Sequence, residues 1–216
     1  MNIVAGLTLL SLVFSLGEDD NIGFLYGVLG RFSFQDDTTM ILEDSSIINT
    51  GDEVRINAGY LQGTYFYVIY KGSSGEFDLL YPSKNKLVSN IDELQDTIYT
   101  TVLPWIPFSV PIGDETFFLI NSNSKQGKLM DLFRRYDKTN EKNRIKIAKK
   151  IQKELENLNP ETIVDLANIS SRLNKPVLGG VTYRADGKDK LSDISLTHTC
   201  LGNSDIAFKK IILNHQ

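Results

Sequence analysis

The stretch Thr64-Tyr65-Phe66-Tyr67-Val68-Ile69-Tyr70-Lys71-Gly72-Ser73-Ser74-Gly75-Glu76-Phe77-Asp78-Leu79-Leu80-Tyr81-Pro82 decides how this chain is read. Thr64 to Tyr70 is apolar or aromatic on both faces of an extended chain, Lys71 to Gly75 supplies turn chemistry, and Glu76 to Tyr81 alternates until Pro82 stops it. The pattern predicts a β-hairpin whose first strand is central in a sheet. Working outward, β-branched and aromatic runs from Phe32 to Ser122 are cut by Gly, Pro, Asn and Asp roughly every eight to twelve residues, the spacing of a sandwich or barrel. Asn49-Thr50-Gly51-Asp52 is a turn leading into Glu53 to Ile56, and Gly113-Asp114 leads into Glu115 to Ile120. Pro104, Pro107 and Pro111 around Trp105 mark an irregular, edge-type crossing.

Past Lys125 the period changes from two to about 3.6. Ile145, Ala148, Ile151, Leu155 and Leu158 form one apolar stripe, with Lys142, Lys146, Lys149, Lys150 and Lys153 on the other sides. Asn159-Pro160-Glu161 supplies a cap, a first-turn proline and an early acid, predicting a second helix from Pro160 to Leu173 that Asn174-Lys175-Pro176 ends. Strand character returns at Gly179 to Tyr183, Ile194 to Cys200 and Ile206 to Leu213. The last run changes parity between Phe208 and Ile211, which predicts a bulge near Lys209-Lys210. The predicted fold is α+β: an immunoglobulin-like antiparallel β-sandwich with a two- or three-helix side layer, inserted at about residues 126–174 before the C-terminal strands.

The chain has 216 residues and a net charge of −4, so a global basic excess for nucleic acid is absent. One cysteine, Cys200, excludes an internal disulfide, and two histidines, His198 and His215, leave little for metal ligation. Ile3 to Leu16 is uncharged, long enough for a secretory signal and short of the roughly 20 residues that span a bilayer. With Ser15 and Gly17 before Glu18-Asp19-Asp20, residues 1–17 are expected to be a signal segment, and 18–216 one exported domain. The segment has no Lys or Arg ahead of its apolar stretch, and the competing reading is a buried first element of the fold.

Gly51-Asp52-Glu53-Val54-Arg55-Ile56, Tyr65-Phe66-Tyr67-Val68-Ile69, Gly75, Leu80-Tyr81-Pro82, Leu103-Pro104 and Gly113-Asp114-Glu115 resemble, in order and spacing, a bacterial domain of unknown function, the one numbered four-three-eight-four, over about residues 45–125. The resemblance implies a small exported β-sandwich with an accessory, binding or assembly role, and it carries no catalytic residues across.

Phosphate-loop, dinucleotide and nucleophile-elbow spacings are missing. His198 and Cys200 share a strand face, which allows a thiol–imidazole pair; the plainer reading of Cys200 is a small buried hydrophobe. His215, next to the terminus, is expected to be exposed, and Asp36/Asp37, Asp52/Glu53 and Asp114/Glu115 are expected to be solvated turn acids. Two surface features invite a binding role. From Lys125 to Lys153 there are eleven basic against three acidic side chains, an excess of +8 that leaves −12 on the rest. Such a layout suits an acidic protein partner or an anionic envelope surface, its competitor being an ordinary solvated helix face. Tyr65, Tyr67, Tyr70 and Tyr81 with Trp105 offer an aromatic platform for a sugar or peptide, its competitor being core packing. The sequence thus points to a non-enzymatic envelope binding module without metal or small-molecule cofactor. The alternative is a hydrolase built on carboxylates or the His198/Cys200 pair.

Overall fold

A computed structural model describes residues 22–33, 39–61, 63–82, 98–158, 164–166, 196–202 and 205–216. In chain order the elements are β1 (Gly23–Arg31), β2 (Thr39–Ile41), β3 (Ile47–Ile48), β4 (Glu53–Leu61), β5 (Tyr65–Lys71), β6 (Phe77–Tyr81), β7 (Ile98–Val102), β8 (Ile106–Pro107) and β9 (Gly113–Ser122). There follow α1 (Gly127–Lys138), α2 (Glu141–Leu158), β10 (Val164–Leu166), β11 (His198–Leu201) and β12 (Ile206–His215). One sheet runs β10-β11-β1-β4-β7, with β2 added on β1 and β8 on β4; the other runs β3-β12-β9-β5-β6. Neighbours are antiparallel except β12 and β3, which pair in parallel.

The second sheet is the middle layer of three, which explains why its strands read as apolar on both faces. Phe66 and Val68 of β5, Phe117 and Leu119 of β9, and Ala207, Ile211 and Leu213 of β12 meet Phe24, Val28, Ile56 and Tyr60 of the first sheet. Their neighbours of opposite parity, Tyr67, Ile69, Phe118, Ile120 and Phe208, pack instead against Leu129, Phe133, Ile147, Ile151 and Leu155 of the helices. Asn121 ties the sheets together, its Nδ2 donating to the Gly23 carbonyl at 2.9 Å. The hairpin read from Thr64 to Tyr81 is present, with β5 between β9 and β6.

Only Thr139 and Asn140 separate the helices, so they fold back antiparallel. The Asn143 N–H donates to Asn140 Oδ1 at 3.2 Å, capping α2. Two backbone bonds to tyrosine hydroxyls fasten the hairpin to the sheet: Gln126 N–H to Tyr67 at 3.1 Å, and Phe77 N–H to Tyr136 at 3.2 Å.

Three local expectations are corrected. The apolar stripe of α2 is centred on Ile147, Ile151 and Leu155, while Ile145 is 62% exposed. The register of β12 on β9 runs without a break from Ile206↔Ser122 to His215↔Gly113, so there is no bulge at Lys209-Lys210. The parity change arises because Phe208 faces the helices and Ile211 faces the other sheet. Val164–Leu166, inside the second helix predicted over Pro160 to Leu173, is a strand paired with β11. Residues 1–17 and the strand expected at Gly179 to Tyr183 lie outside the described residues.

Candidate functional site

The helical hairpin carries the most concentrated charge. With 3.6 residues per turn, Lys142, Lys146, Lys149, Lys150 and Lys153 fall within about 100° of arc, opposite the buried stripe. All five are exposed. At the elbow the last turn of α1 lies beside α2, and Arg135, Lys138, Lys146 and Lys150 line a depression of about 380 Å3 with Thr139, Asn143 and Ile147. No carboxylate lines it. Three acids of the hairpin are engaged elsewhere, Asp131 with Arg134 at 2.9 Å, Glu154 with Lys128 at 2.5 Å and Glu156 with Gln152, and the other two, Asp137 and Glu141, do not line the depression. Among the described residues, none of the four elbow cations is ion-paired with a carboxylate.

The aromatic residues do not converge. Tyr67 is buried beneath α1, and that burial raises its hydroxyl pKa. Tyr65 is half-buried on the same face, with Lys125 Nζ 5.7 Å from its ring centroid. Tyr70 and Tyr81 pack against the inter-sheet core, the Tyr81 hydroxyl 2.6 Å from that of Tyr60. Trp105 sits beside the first sheet, with the Arg31 and Arg55 guanidinium carbons each 4.4 Å from its ring centroid. Tyr65 and Tyr67 thus share the helix-covered face of the second sheet, while Trp105 lies against the first sheet, and the three form no shared platform.

His198 and Cys200 share a face but do not act on each other. Cys200 is buried in the inter-sheet core, its Sγ 3.6 Å from the Phe208 carbonyl. Both ring nitrogens of His198 are engaged, Nδ1 with Thr197 Oγ1 at 2.7 Å and Nε2 with Glu43 Oε2 at 2.8 Å. The ring itself stacks on Tyr26.

Sequence reasoning missed a buried polar chain. His215 is 3% exposed and Glu115 2%, because β12 pairs to its last residue with β9 and β3, closing the chain end into the sheet. Glu115 Oε2 accepts from the Tyr70 hydroxyl at 2.6 Å and the Ser73 N–H at 3.1 Å. Glu115 Oε1 lies 3.3 Å from His215 Nδ1, and His215 Nε2 lies 3.0 Å from Thr50 Oγ1. Burial first, then the bond to Glu115, pushes the Tyr70 hydroxyl pKa far up. Asp52 is likewise buried, its oxygens accepting from Ser33 and Asn49. Of the acids read as solvated, Glu115 and Asp52 are therefore structural, whereas Asp114 is exposed.

Hydroxyl, imidazole and carboxylate stand in the order of an activated nucleophile. Attack on an acyl carbon also needs free N–H donors for the developing oxyanion. Around Thr50 these are engaged: Thr50 N–H on the Gln216 carbonyl, Gly51 N–H on Phe108 and Asp52 N–H on Asn49. What the chain does is hold β9, β12 and the Asn49–Asp52 turn together.

Among the described residues no group of three His, Cys, Asp or Glu side chains is placed to hold a metal, and no helix is long and apolar enough to cross a membrane. Comparison with known proteins finds no matching family model, no matching curated protein and no matching solved structure.

Proposed function

We propose that this protein is an exported, non-enzymatic binding or assembly module of the bacterial envelope, docking an anionic protein partner or surface polymer through its helical hairpin. The single observation that carries this reading is the arc of five exposed lysines opposite the stripe that fastens α2 to the sheet. At i±4 spacing Lys142/Lys146, Lys146/Lys150 and Lys149/Lys153 repeat like charges against one opposite pair, Lys150/Glu154, and like charges so spaced repel. Export rests on the uncharged run Ile3 to Leu16. Kinship with the domain numbered four-three-eight-four rests on the motifs from Gly51 to Glu115, and an immunoglobulin-like arrangement of the two-sheet body rests on the strand and turn spacing from Phe32 to Ser122.

The test is charge reversal. Lys142, Lys146, Lys149, Lys150 and Lys153, all replaced by Glu, should abolish retention on immobilised poly-L-glutamate and on long-chain polyphosphate. Wild-type retention should weaken between about 50 mM and about 200 mM salt. Undiminished binding by the folded variant would overturn the reading. A second reading, a hydrolase, has one observation in its favour, the order Thr50–His215–Glu115. It requires that Thr50→Ala abolish a measurable turnover of p-nitrophenyl acetate.

A further inference from the structure

We infer that the depression at the α1–α2 elbow is a binding site for adjacent phosphate groups, the chemistry of a condensed phosphate. This rests on the docking reading above and deepens it by naming the ligand class. The elbow brings Arg135 and Lys138 from the last turn of α1 against Lys146 and Lys150, one turn apart on α2. Four cations thereby surround one depression of about 380 Å3, a volume within the range of small-ligand sites.

The lining is made for an acceptor-only guest. Arg135 offers a planar fork of donors, each lysine three rotatable donors, Asn143 an amide and Thr139 a hydroxyl, with Ile147 supplying apolar floor. The neighbouring acids Asp131 and Glu154 are held by Arg134 and Lys128, and neither Asp137 nor Glu141 lines the depression, so its lining carries four cations and no carboxylate. Like charges one helical turn apart repel, and an anion bound between them relieves that repulsion.

Charge density selects phosphate over carboxylate. Two or three linked phosphates bring about as much negative charge as the four cations can neutralise, in a compact group whose oxygens fit Arg and Lys donors. An acidic peptide would have to bring four side chains to one small depression. A free oligophosphate and a long chain present the same linked phosphates to the elbow.

The experiment is isothermal titration of the full chain with inorganic tripolyphosphate at low salt. Two variants are compared: Arg135→Gln/Lys146→Gln/Lys150→Gln within the elbow, and Lys125→Gln/Lys210→Gln, away from both the elbow and the lysine face. All five positions are exposed, and circular dichroism checks that both variants keep their fold. The wild type should bind one tripolyphosphate per chain. The elbow variant should lose at least about 100-fold in affinity, as three charge-assisted contacts disappear, and the distant variant less than about 5-fold. No binding, equal losses in the two variants, or poly-L-glutamate bound as tightly with the same dependence on the elbow would each overturn the assignment. Tighter binding of long-chain polyphosphate than of tripolyphosphate, still lost in the elbow variant, supports the site and names the polymer as source. Equal affinity supports it with the free oligophosphate as source. The broader docking reading fails separately, when the five-lysine reversal leaves retention on anionic polymers unchanged.

Discussion

Replacing Glu115 tests the buried polar chain that closes one end of the body. Its carboxylate is 2% exposed and accepts from Tyr70 Oη and the Ser73 N–H, with His215 Nδ1 at 3.3 Å. Glu115→Ala leaves those two donors, on half-buried residues, without their acceptor, and each orphaned group costs about 1–3 kcal/mol. With partial relaxation the loss should be about 2–4 kcal/mol. For a chain of this size that lowers Tm by roughly 10 °C. Glu115→Gln keeps a carbonyl oxygen for Tyr70 and Ser73 and relieves the burial of a charge, so it should cost only about 1–2 kcal/mol. Urea unfolding at neutral pH, followed by fluorescence of the single tryptophan, gives both values. In the Glu115→Ala background Tyr70→Phe removes one orphaned donor and should cost less than it does alone. An Ala variant within about 0.5 kcal/mol of wild type, or a Gln variant less stable than the Ala variant, would refute the reasoning.

Ile151→Ala and Leu155→Ala should each destabilise by about 2–5 kcal/mol, whereas Ile145→Ala, on the exposed face, should stay within about 0.5 kcal/mol in the same urea assay. The raised hydroxyl pKa values of Tyr67 and Tyr70 set an alkaline limit. The unfolded chain loses these protons near pH 10 and the folded chain keeps them. Their contribution is therefore intact below pH 10 and falls above it, by up to about 1.4 kcal/mol per pH unit for each tyrosine; stability rising with pH there would contradict it. Cys200, buried in the inter-sheet core, should react with a thiol reagent only on unfolding, and rapid labelling of the native protein would remove it from that core.

What could be read from the sequence was local. The β5–β6 hairpin followed from alternation and turn chemistry within about twenty residues, and the helical period past Lys125 was equally visible. The face of α2 was not: stripes through Ile145 or Ile147 share Ala148, Ile151, Leu155 and Leu158, and only docking on the second sheet chooses between them. The parity change in β12 looked like a bulge because the helices cover its outer face at Phe208, while Lys210, next on that face, is exposed, so the apolar pattern passes to the inner face at Ile211 and Leu213. Glu115 and His215 are 100 residues apart, and Thr50 and His215 are 165, so no window of sequence joins them. Near the elbow the basic excess was legible, but the depression was not. It exists because a two-residue connection lays Arg135 and Lys138 beside Lys146 and Lys150.

The central claim, that the outward face of the helical hairpin is where this protein meets an anionic partner, is tested most directly by amide hydrogen exchange with and without long-chain polyphosphate. Slowed exchange confined to α1, α2 and their connection is the predicted result. Protection of the first sheet instead, or an exchange pattern unchanged at saturating polymer, would contradict it.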